Sequence, residues 1–167
     1  MGVYATTNLV VLRASDGQFV CAEGGGGREV VANRPAIGPW EIWGAVWDTN
    51  DENARITSLC AYNGQFMCAE GGGGQQVVAN RTERGPWETF TFWARENNPP
   101  APGESFAEYD HIGLQVADGM YMSADGGGGG NVYANRGWWA AWETFDIFPA
   151  PPEIIRAHPG AWHTQLL

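Results

Sequence analysis

Apolar residues in this chain are grouped in short stretches, and glycines or turn-forming pairs interrupt each stretch. Residues 12–14 and 18–22 predict two short strands around the hairpin signal Asp16-Gly17, with the β-favouring Phe19 and Val20 in the second strand. The four glycines 24–27 predict a loop, because glycine is costly inside strands and helices. Residues 30–32 and 40–46 predict two further strands, and the turn 34–39 between them ends in Gly-Pro.

The same pattern occurs three times, at 12–43, 59–90 and 114–145. The first copy reads LRASDGQFVCAEGGGGREVVANRPAIGPWEIW, and the spacing within the copies is constant. The acidic residue follows the first Leu by eleven positions (12 to 23, 59 to 70, 114 to 125), Asn follows ten later, and Trp seven after that. The periods are 47 (12 to 59) and 55 (59 to 114), and the longer one contains the segment NNPPAPGES, which is typical of a surface loop.

Three four-stranded units predict an all-β protein with about twelve strands and almost no helix. A single unit cannot cover its own apolar face, so the three must share a core, as in a β-trefoil, a barrel capped by three hairpins. The rival is a β-propeller, which usually needs four to eight blades. We therefore predict a single β-trefoil over 1–148, with repeats at about 9–48, 56–95 and 109–148, an insert loop at 96–108, and a Pro-rich C-terminal arm at 149–167.

Charge and composition restrict the partners. The 167 residues fit one domain, and a net charge of -10 with only nine basic residues argues against nucleic acid and anionic membrane surfaces. No apolar run approaches the ~20 residues of a spanning helix, so we expect no membrane insertion. Residues 1–8 show no secretory signal, which leaves the cytoplasm or a larger secreted protein as the compartment. Three cysteines make no disulfide framework, and Cys21, Cys60 and Cys68 are interpreted as small buried residues rather than metal or redox groups.

The stretch Gln-Phe-Val-Cys-Ala-Glu-Gly at 18–24 resembles the corresponding strand of fascin and hisactophilin trefoils, and the closing aromatics Trp43, Phe90 and Phe145 match as well. The fuller signature, acidic-GGGG, V-x-A-N-R and G-P-W-E-x-F, is similar to fascin-like trefoils that accompany bacterial glycoside hydrolases. That resemblance implies a trivalent carbohydrate-binding module for β-glucans. The third unit departs from the signature, with Ala141 in place of Pro and Asp125 in place of Glu.

Strand parity separates core residues from candidate ligand contacts. Trp43, Phe90 and Phe145 are predicted to form a core layer, and the glutamates two positions earlier (Glu41, Glu88, Glu143) either accept backbone N–H bonds or bind sugar hydroxyls. Tryptophans of opposite parity are predicted to face outward, either as stacking platforms for sugars or as staples between units. These are Trp40, Trp87 and Trp142.

Three more positions per unit are candidates for a shallow polar site beside each glycine loop, since a loop without side chains leaves its backbone open to a ligand. The Asn that follows the third strand of each unit is either a turn former or a ligand contact. The Arg after it either pairs with the acidic residue of its unit or binds sugar hydroxyls. The acidic residue before the glycines accepts hydrogen bonds from sugar hydroxyls. The predicted ligand-binding residues are Glu23, Asn33, Arg34, Trp40, Glu70, Asn80, Arg81, Trp87, Asp125, Asn135, Arg136 and Trp142.

Other chemistries are less well supported. The glycine loops lack the G-K-[ST] of a phosphate loop, and each offers one carboxylate where strong calcium sites supply several, so we expect no cofactor and no metal. The three histidines lie outside the repeated motifs, and a complete glycosidase site repeated three times is implausible, so we expect no enzyme. The favoured function is a lectin or carbohydrate-binding module. The alternatives are actin binding, which the acidic charge opposes, and a protein partner held by Trp138 and Trp139, a non-repeated pair that we expect to be exposed.

Overall fold

The computed structural model describes residues 7–47, 56–94 and 111–162. The first residues considered for a signal segment (1–6), the predicted insert loop 96–108 and the end of the predicted arm (163–167) lie outside these ranges. Within the described part the chain forms twelve β-strands, six short 3-10 turns and one short helix. The strands are β1 (Thr7–Arg13), β2 (Phe19–Ala22), β3 (Val30–Arg34), β4 (Ile42–Trp47), β5 (Ile56–Cys60), β6 (Phe66–Ala69), β7 (Val77–Arg81), β8 (Phe90–Ala94), β9 (Ile112–Gln115), β10 (Tyr121–Ala124), β11 (Val132–Arg136) and β12 (Asp146–Pro149).

The first and last strands of the three units form a closed antiparallel barrel. β1 pairs with β4 and β12, β4 with β5, β5 with β8, and β8 with β9. Reciprocal backbone hydrogen bonds between Ile112 and Phe145, at 2.8 and 2.9 Å, complete the ring. Closure leaves no unpaired edge in the barrel, which satisfies the backbone polar groups of strands only four to seven residues long.

The middle strands of each unit form three hairpins, β2–β3, β6–β7 and β10–β11. These hairpins bond to one another in a ring: Gly27 N–H donates to the Ala79 carbonyl at 2.7 Å, and Ala79 N–H donates to the Arg28 carbonyl at 2.8 Å. The same reciprocal pair recurs at the other two junctions, through Ala134 and Ala32. A barrel with a ring of three hairpins is a β-trefoil, and the fold predicted from the sequence is confirmed.

One aromatic residue from each unit fills the centre of the barrel. Trp43, Phe90 and Phe145 are at most 1% exposed, which confirms the predicted core layer. Trp43 also satisfies its indole N–H by donating to the Val20 carbonyl at 3.1 Å, so burial leaves no polar atom of this ring unpaired. Small alanines and valines from the hairpins pack around these rings.

Two predicted strand boundaries are wrong, and both affect the candidate site. Trp40 and Glu41 belong to a 3-10 turn, Pro39–Glu41, and the strand begins only at Ile42. The outward position of Trp40 therefore follows from a tight turn rather than from strand alternation. Asn33 lies inside β3, next to a register shift opposite Phe19 and Cys21, and among the described residues only Trp162 is a non-glycine with positive φ. The left-handed turn role considered for Asn33 is thus not adopted.

The three cysteines are buried and free, which confirms the interpretation as small core residues. Burial raises the pKa of the Cys60 thiol to about 12 and also raises the pKa of the Cys21 and Cys68 thiols. Ser123, which takes the equivalent place in the third unit, is buried as well.

The described part of the C-terminal arm packs on the outside of the barrel. Helix α1 (Pro152–Ala157) is followed by Trp162, whose side chain is 0% exposed. Tyr62 meets this arm: its ring lies edge-on to Trp162 at 5.5 Å between centroids, and its hydroxyl lies 3.1 Å from Nδ1 of His158. The arm covers a second apolar cluster that includes Val11 and Ile42. No helix in residues 7–47, 56–94 or 111–162 has the length and apolar character to cross a membrane.

Candidate functional site

Each unit gathers its predicted polar residues around one guanidinium group. In the first unit, Arg34 donates through Nη1 to the Asn33 side-chain oxygen and through Nη2 to a Glu23 oxygen, while Nε lies 3.9 Å from an oxygen of Glu41. The second unit repeats the cluster with Arg81, Asn80, Glu70 and Glu88. Of the two roles considered for Arg34, the ion pair with the acidic residue of its own unit is the one that the structure contains. This pairing orients Glu23 and Asn33 relative to each other.

The glutamates of the 3-10 turns form the buried base of each cluster. An oxygen of Glu41 accepts the backbone N–H of Gly38 at 2.6 Å, and Glu88 and Glu143 do the same for Gly85 at 2.9 Å and Ala140 at 3.0 Å. All three side chains are buried, so these bonds satisfy carboxylates that water does not reach freely. The backbone-accepting role considered for these residues is confirmed.

The third cluster is looser than the other two. Because Asp125 is one methylene shorter than glutamate, its carboxylate lies 3.7 Å from Arg136 and its side chain is 56% exposed, against 25% for Glu23. Arg136 keeps its contact with the Asn135 side-chain oxygen, at 2.6 Å, and lies 5.9 Å above the ring of Trp142. The third unit thus presents its carboxylate more openly to solvent.

A half-exposed indole flanks each cluster. Trp40, Trp87 and Trp142 are 39%, 41% and 43% exposed, which confirms that they face outward. Their pyrrole edges lie against the second glycine of each loop: a Cβ on Gly25 would stand 3.0 Å from Nε1 of Trp40, and one on Gly72 would stand 3.2 Å from Nε1 of Trp87. The absence of a side chain at this glycine lets the pyrrole edge approach the backbone closely, while about 40% of the indole surface remains exposed.

Each glycine loop is only partly open to a ligand: Gly24 and Gly27 are exposed, whereas Gly25 is buried. The Gly25 carbonyl accepts the N–H of Asn63 in the next unit at 2.9 Å, and Gly27 donates to Ala79. Gly26 lies against the Asn63 side chain, so closely that a Cβ there would be 2.1 Å from Oδ1. The side-chain-free backbone is therefore used to dock one unit on the next, and the same contacts recur at the other two junctions.

Open cavities lie beside the Arg clusters, next to the 3-10 turns. A cavity of about 280 Å³ in the third unit is lined by Arg136, Trp138, Ala140, Ala141, Trp142 and Glu143. A cavity of about 330 Å³ in the second unit is lined by Arg81, Thr82, Glu83, Arg84, Gly85 and Glu88. Both cavities thus join the guanidinium, the buried glutamate and the turn that carries the exposed indole.

The pair Trp138 and Trp139 is divided by the fold. Trp138 is 64% exposed, as predicted, whereas Trp139 packs against Gly113, where a Cβ would stand 2.7 Å from the indole ring. Trp139 also stacks on Tyr121, with 6.3 Å between ring centroids. The prediction that both rings are exposed is therefore wrong for Trp139.

Sequence reasoning missed the residues that distinguish the units. Ser15, Tyr62 and Ala117 occupy equivalent turn positions and face the glycine loop of a neighbouring unit, but differ in size. His111 and Asp146 form a 3.3 Å contact that has no counterpart in the repeat pattern. Departure from the repeat was the available signal: a position that changes while its neighbours stay constant indicates a local difference between otherwise equivalent sites.

Solved structures with a similar fold were found at low identity. A designed threefold-symmetric protein, ThreeFoil, matches with a TM-score of 0.67 and 13% identity, covering 85% of this chain and 99% of its own. A Polyporus squamosus lectin, solved with the human-type influenza-binding epitope Neu5Acα2-6Galβ1-4GlcNAc, matches with a TM-score of 0.63 and 9% identity over 86% of this chain. The match spans 49% of the lectin chain, about half its length. At these identities the likeness shows the trefoil fold alone.

No protein-family model and no curated protein sequence matches the chain.

Proposed function

We propose that this protein is a non-catalytic carbohydrate-binding module with up to three equivalent shallow sites for a neutral β-glucan-type polysaccharide. The observation that carries the proposal is the repetition, in all three units, of a half-exposed indole beside an Asn–Arg–carboxylate cluster. The trefoil neighbour that was solved with a bound glycan supports the same class of ligand. The fascin-like signature in the sequence supports the β-glucan type.

Side-chain chemistry assigns each residue of a site its own role in binding a sugar. The exposed face of Trp87 packs on the C–H face of a sugar ring, which is the apolar side of an otherwise hydroxylated ligand. The Asn80 side chain gives its oxygen to Arg81, so its NH₂ group is directed to donate to a sugar hydroxyl. The carboxylate of Glu70, 33% exposed, accepts from a second hydroxyl. An aromatic floor with a few oriented polar groups is the usual composition of a sugar site.

Charge selects for a neutral ligand. Each cluster combines two carboxylates with one guanidinium, for example Glu70, Glu88 and Arg81, so a site carries one net negative charge. The whole chain carries -10. An acidic glycan, such as the sialylated epitope of the lectin neighbour, is repelled by this field, whereas a glucan is not.

Three weak sites suit a polymeric ligand. Each site is an open surface depression rather than an enclosed pocket, so the affinity for one short oligosaccharide is expected to be low. Once one site holds a polysaccharide, the effective concentration of the chain at the other sites rises, and retention increases by orders of magnitude without new contacts.

The carboxylates support a binding role rather than catalysis. A glycosidase acid must hold a proton within reach of the leaving oxygen. Glu41 is 6% exposed and bonded to the Gly38 N–H, while Glu23 is bonded to Arg34. Both carboxylates of this unit are therefore engaged, Glu41 in holding the turn and Glu23 in holding the guanidinium.

The test is retention on insoluble β-1,3-glucan. The intact chain is expected in the pellet, and the variant with Trp40→Ala, Trp87→Ala and Trp142→Ala is expected in the supernatant while still showing a cooperative melting transition, because the three rings are not part of the barrel core. Equal retention of the folded triple variant and the parent would overturn the stacking role, and absence of the parent from the pellet would overturn the β-glucan type.

A protein partner is the second candidate, favoured by the 64% exposure of Trp138. Trp138→Ala leaves Trp40 and Trp87 in place, so it separates the two functions: it is expected to weaken a protein complex but not retention by the first and second sites. Co-sedimentation with actin filaments at low salt tests the cytoskeletal alternative, and an empty pellet removes it.

A further inference from the structure

A further cavity lies at the seam where the third unit meets the first. Its volume is about 440 Å³, and it is lined by Ser15, His111, Ala140, Ala141, Thr144 and Asp146. This size falls within the range of small-molecule sites. It is separate from the three repeated clusters, because it contains none of the Arg, Asn or Trp residues that define them.

The seam cavity adjoins the site of the third unit. Ala140 and Ala141 line both this cavity and the one beside Trp142, so they form a low ridge between them. In the other units the same two positions hold Gly-Pro. Ser15 and Trp142 approach a single point on Gly127, where a Cβ would stand 3.1 Å from the Ser15 Oγ and 3.2 Å from the indole Nε1. A ligand chain bound at Trp142 can therefore extend into the seam cavity by passing over the side-chain methyl groups of Ala140 and Ala141.

The polar groups of the seam cavity match a polyol. One oxygen of Asp146 accepts from Arg13 at 2.7 and 3.2 Å, and the other lies 3.3 Å from Nε2 of His111. The Arg13 guanidinium balances the carboxylate charge, and 25% of the Asp146 side chain stays exposed to accept from a hydroxyl. Ser15 donates to the Gly127 carbonyl at 3.2 Å, which orients its oxygen to accept from a ligand, and Thr144 is held by donating to the Ala140 carbonyl at 2.8 Å.

The equivalent places in the other units are built differently. Tyr62 stands where Ser15 stands, and its ring is held by His158 and Trp162 of the C-terminal arm. Asp146 is replaced by Gly44 in the first unit and by Thr91 in the second, so neither has the carboxylate. The combination of lining residues that forms the seam cavity is thus specific to the junction of the third unit with the first.

We propose that the seam cavity is an additional subsite for the next sugar units of a neutral glucan chain held at Trp142. This inference rests on the proposed function, and it adds to that function a longer chain preference at one of the three sites. One or two further hydrogen bonds from the seam cavity to the glucan correspond to an affinity about tenfold higher than that for a sugar held at Trp142 alone.

The experiment isolates the third site and then closes the seam. In a background with Trp40→Ala and Trp87→Ala, the dissociation constants of β-1,3-linked glucose disaccharide and pentasaccharide are measured by calorimetry. The seam is closed with Ser15→Tyr, which copies the residue that the fold already accepts at position 62. The control is Ala117→Tyr, which places the same ring at the junction of the second and third units, away from the seam.

The background protein and the Ala117→Tyr control are expected to bind the pentasaccharide about tenfold more tightly than the disaccharide, and Ser15→Tyr is expected to reduce this ratio to about one. Asp146→Asn, which keeps the shape of the carboxylate, is expected to lower the ratio as well and guards against misfolding of the Tyr variant. If the disaccharide binds and both Ser15→Tyr and Asp146→Asn keep the tenfold preference for the pentasaccharide, the subsite is overturned while the proposed function stands. Absence of the parent chain from the insoluble β-1,3-glucan pellet would overturn the proposed function, and the subsite with it.

Discussion

The side chain of Asn63 occupies the space beside Gly26 in the preceding unit, so that a Cβ on Gly26 would stand 2.1 Å from Asn63 Oδ1. That oxygen is fixed because it accepts the N–H of Gln65 at 2.9 Å. Asp118 meets Gly73 and Asp16 meets Gly128 in the same way. The turn of one unit therefore requires a glycine in its neighbour, and assembly of the units explains the third glycine of each four-glycine run.

Gly26→Ala is expected to destabilise the protein by more than about 2 kcal/mol, because a φ of 133° is strained for alanine and the methyl group has no room. The matched control is Gly17→Ala, where φ is also positive at 93° but no atom lies within 4 Å of the added methyl, so only backbone strain of about 1–2 kcal/mol is expected. Urea denaturation measures both. Equal losses for the two variants would show that the Asn63 contact is unimportant.

Glu88→Ala is expected to cost about 2–3 kcal/mol, because the buried carboxylate accepts the Gly85 N–H and its removal leaves that donor unpaired. Glu88→Gln keeps an oxygen in the same place and is expected to cost about half as much. Thermal denaturation of both variants gives the comparison. A Gln variant with parental stability that no longer binds glucan would instead place this carboxylate on the ligand.

Stability is expected to fall as the pH rises above about 9. Burial raises the pKa of Cys60 from 9.0 to about 12, so between these values the unfolded chain loses the thiol proton while the native chain keeps it. The native state then binds more protons than the unfolded state, and each such thiol lowers the free energy of unfolding by about 1.4 kcal/mol per pH unit. Below pH 9 this contribution is fully present.

Cys60→Ala isolates that contribution, since Cys60 lies in a small cluster with Val46 and Phe66, away from the Arg clusters. Urea denaturation at a series of pH values from 8 to 11 is expected to show a shallower decline for the variant than for the parent. Parallel declines would show that the Cys60 thiol ionises as readily in the folded chain as in the unfolded one.

Trp162→Ala is expected to release the C-terminal arm while the trefoil stays folded, because the ring is fully buried against Tyr62 but takes no part in the barrel. The free energy that holds the arm in place is expected to fall by at most about 3–5 kcal/mol, the usual cost of removing a buried Trp side chain. Limited trypsin digestion with mass spectrometry is expected to show faster cleavage after the exposed Arg156 of helix α1. Trp138→Ala, which removes an exposed ring, serves as the control, and equal cleavage of both variants would contradict this role of Trp162.

Repeat spacing made the fold predictable. Three copies with constant distances between Leu, the acidic residue, Asn and Trp imply equivalent strands, and a barrel is the way in which three small units share one core. The core aromatic Trp43 and the backbone-bonded Glu41 follow from the same pattern. The strand start at residue 40 was misassigned, because a 3-10 turn of three residues leaves no periodic signal and the following apolar run begins immediately.

The candidate site was only partly predictable. The sequence placed Arg34, Asn33 and Glu23 in one unit, but two roles remained for Arg34 until its guanidinium was seen bonded to both neighbours. Trp138 and Trp139 were indistinguishable as a dipeptide, and only packing on Gly113 separates them.

By itself, the sequence determined the threefold architecture, the core layer and the set of side chains repeated at each site, because these depend on local propensity and on spacing along the chain. Tertiary structure decided how the glycine loops are used, which indole faces stay exposed and why the seam differs from the other junctions. Those features arise where residues such as Gly26 and Asn63, or Ser15 and Gly127, meet across two units, and no periodicity along one chain segment records a contact of that kind.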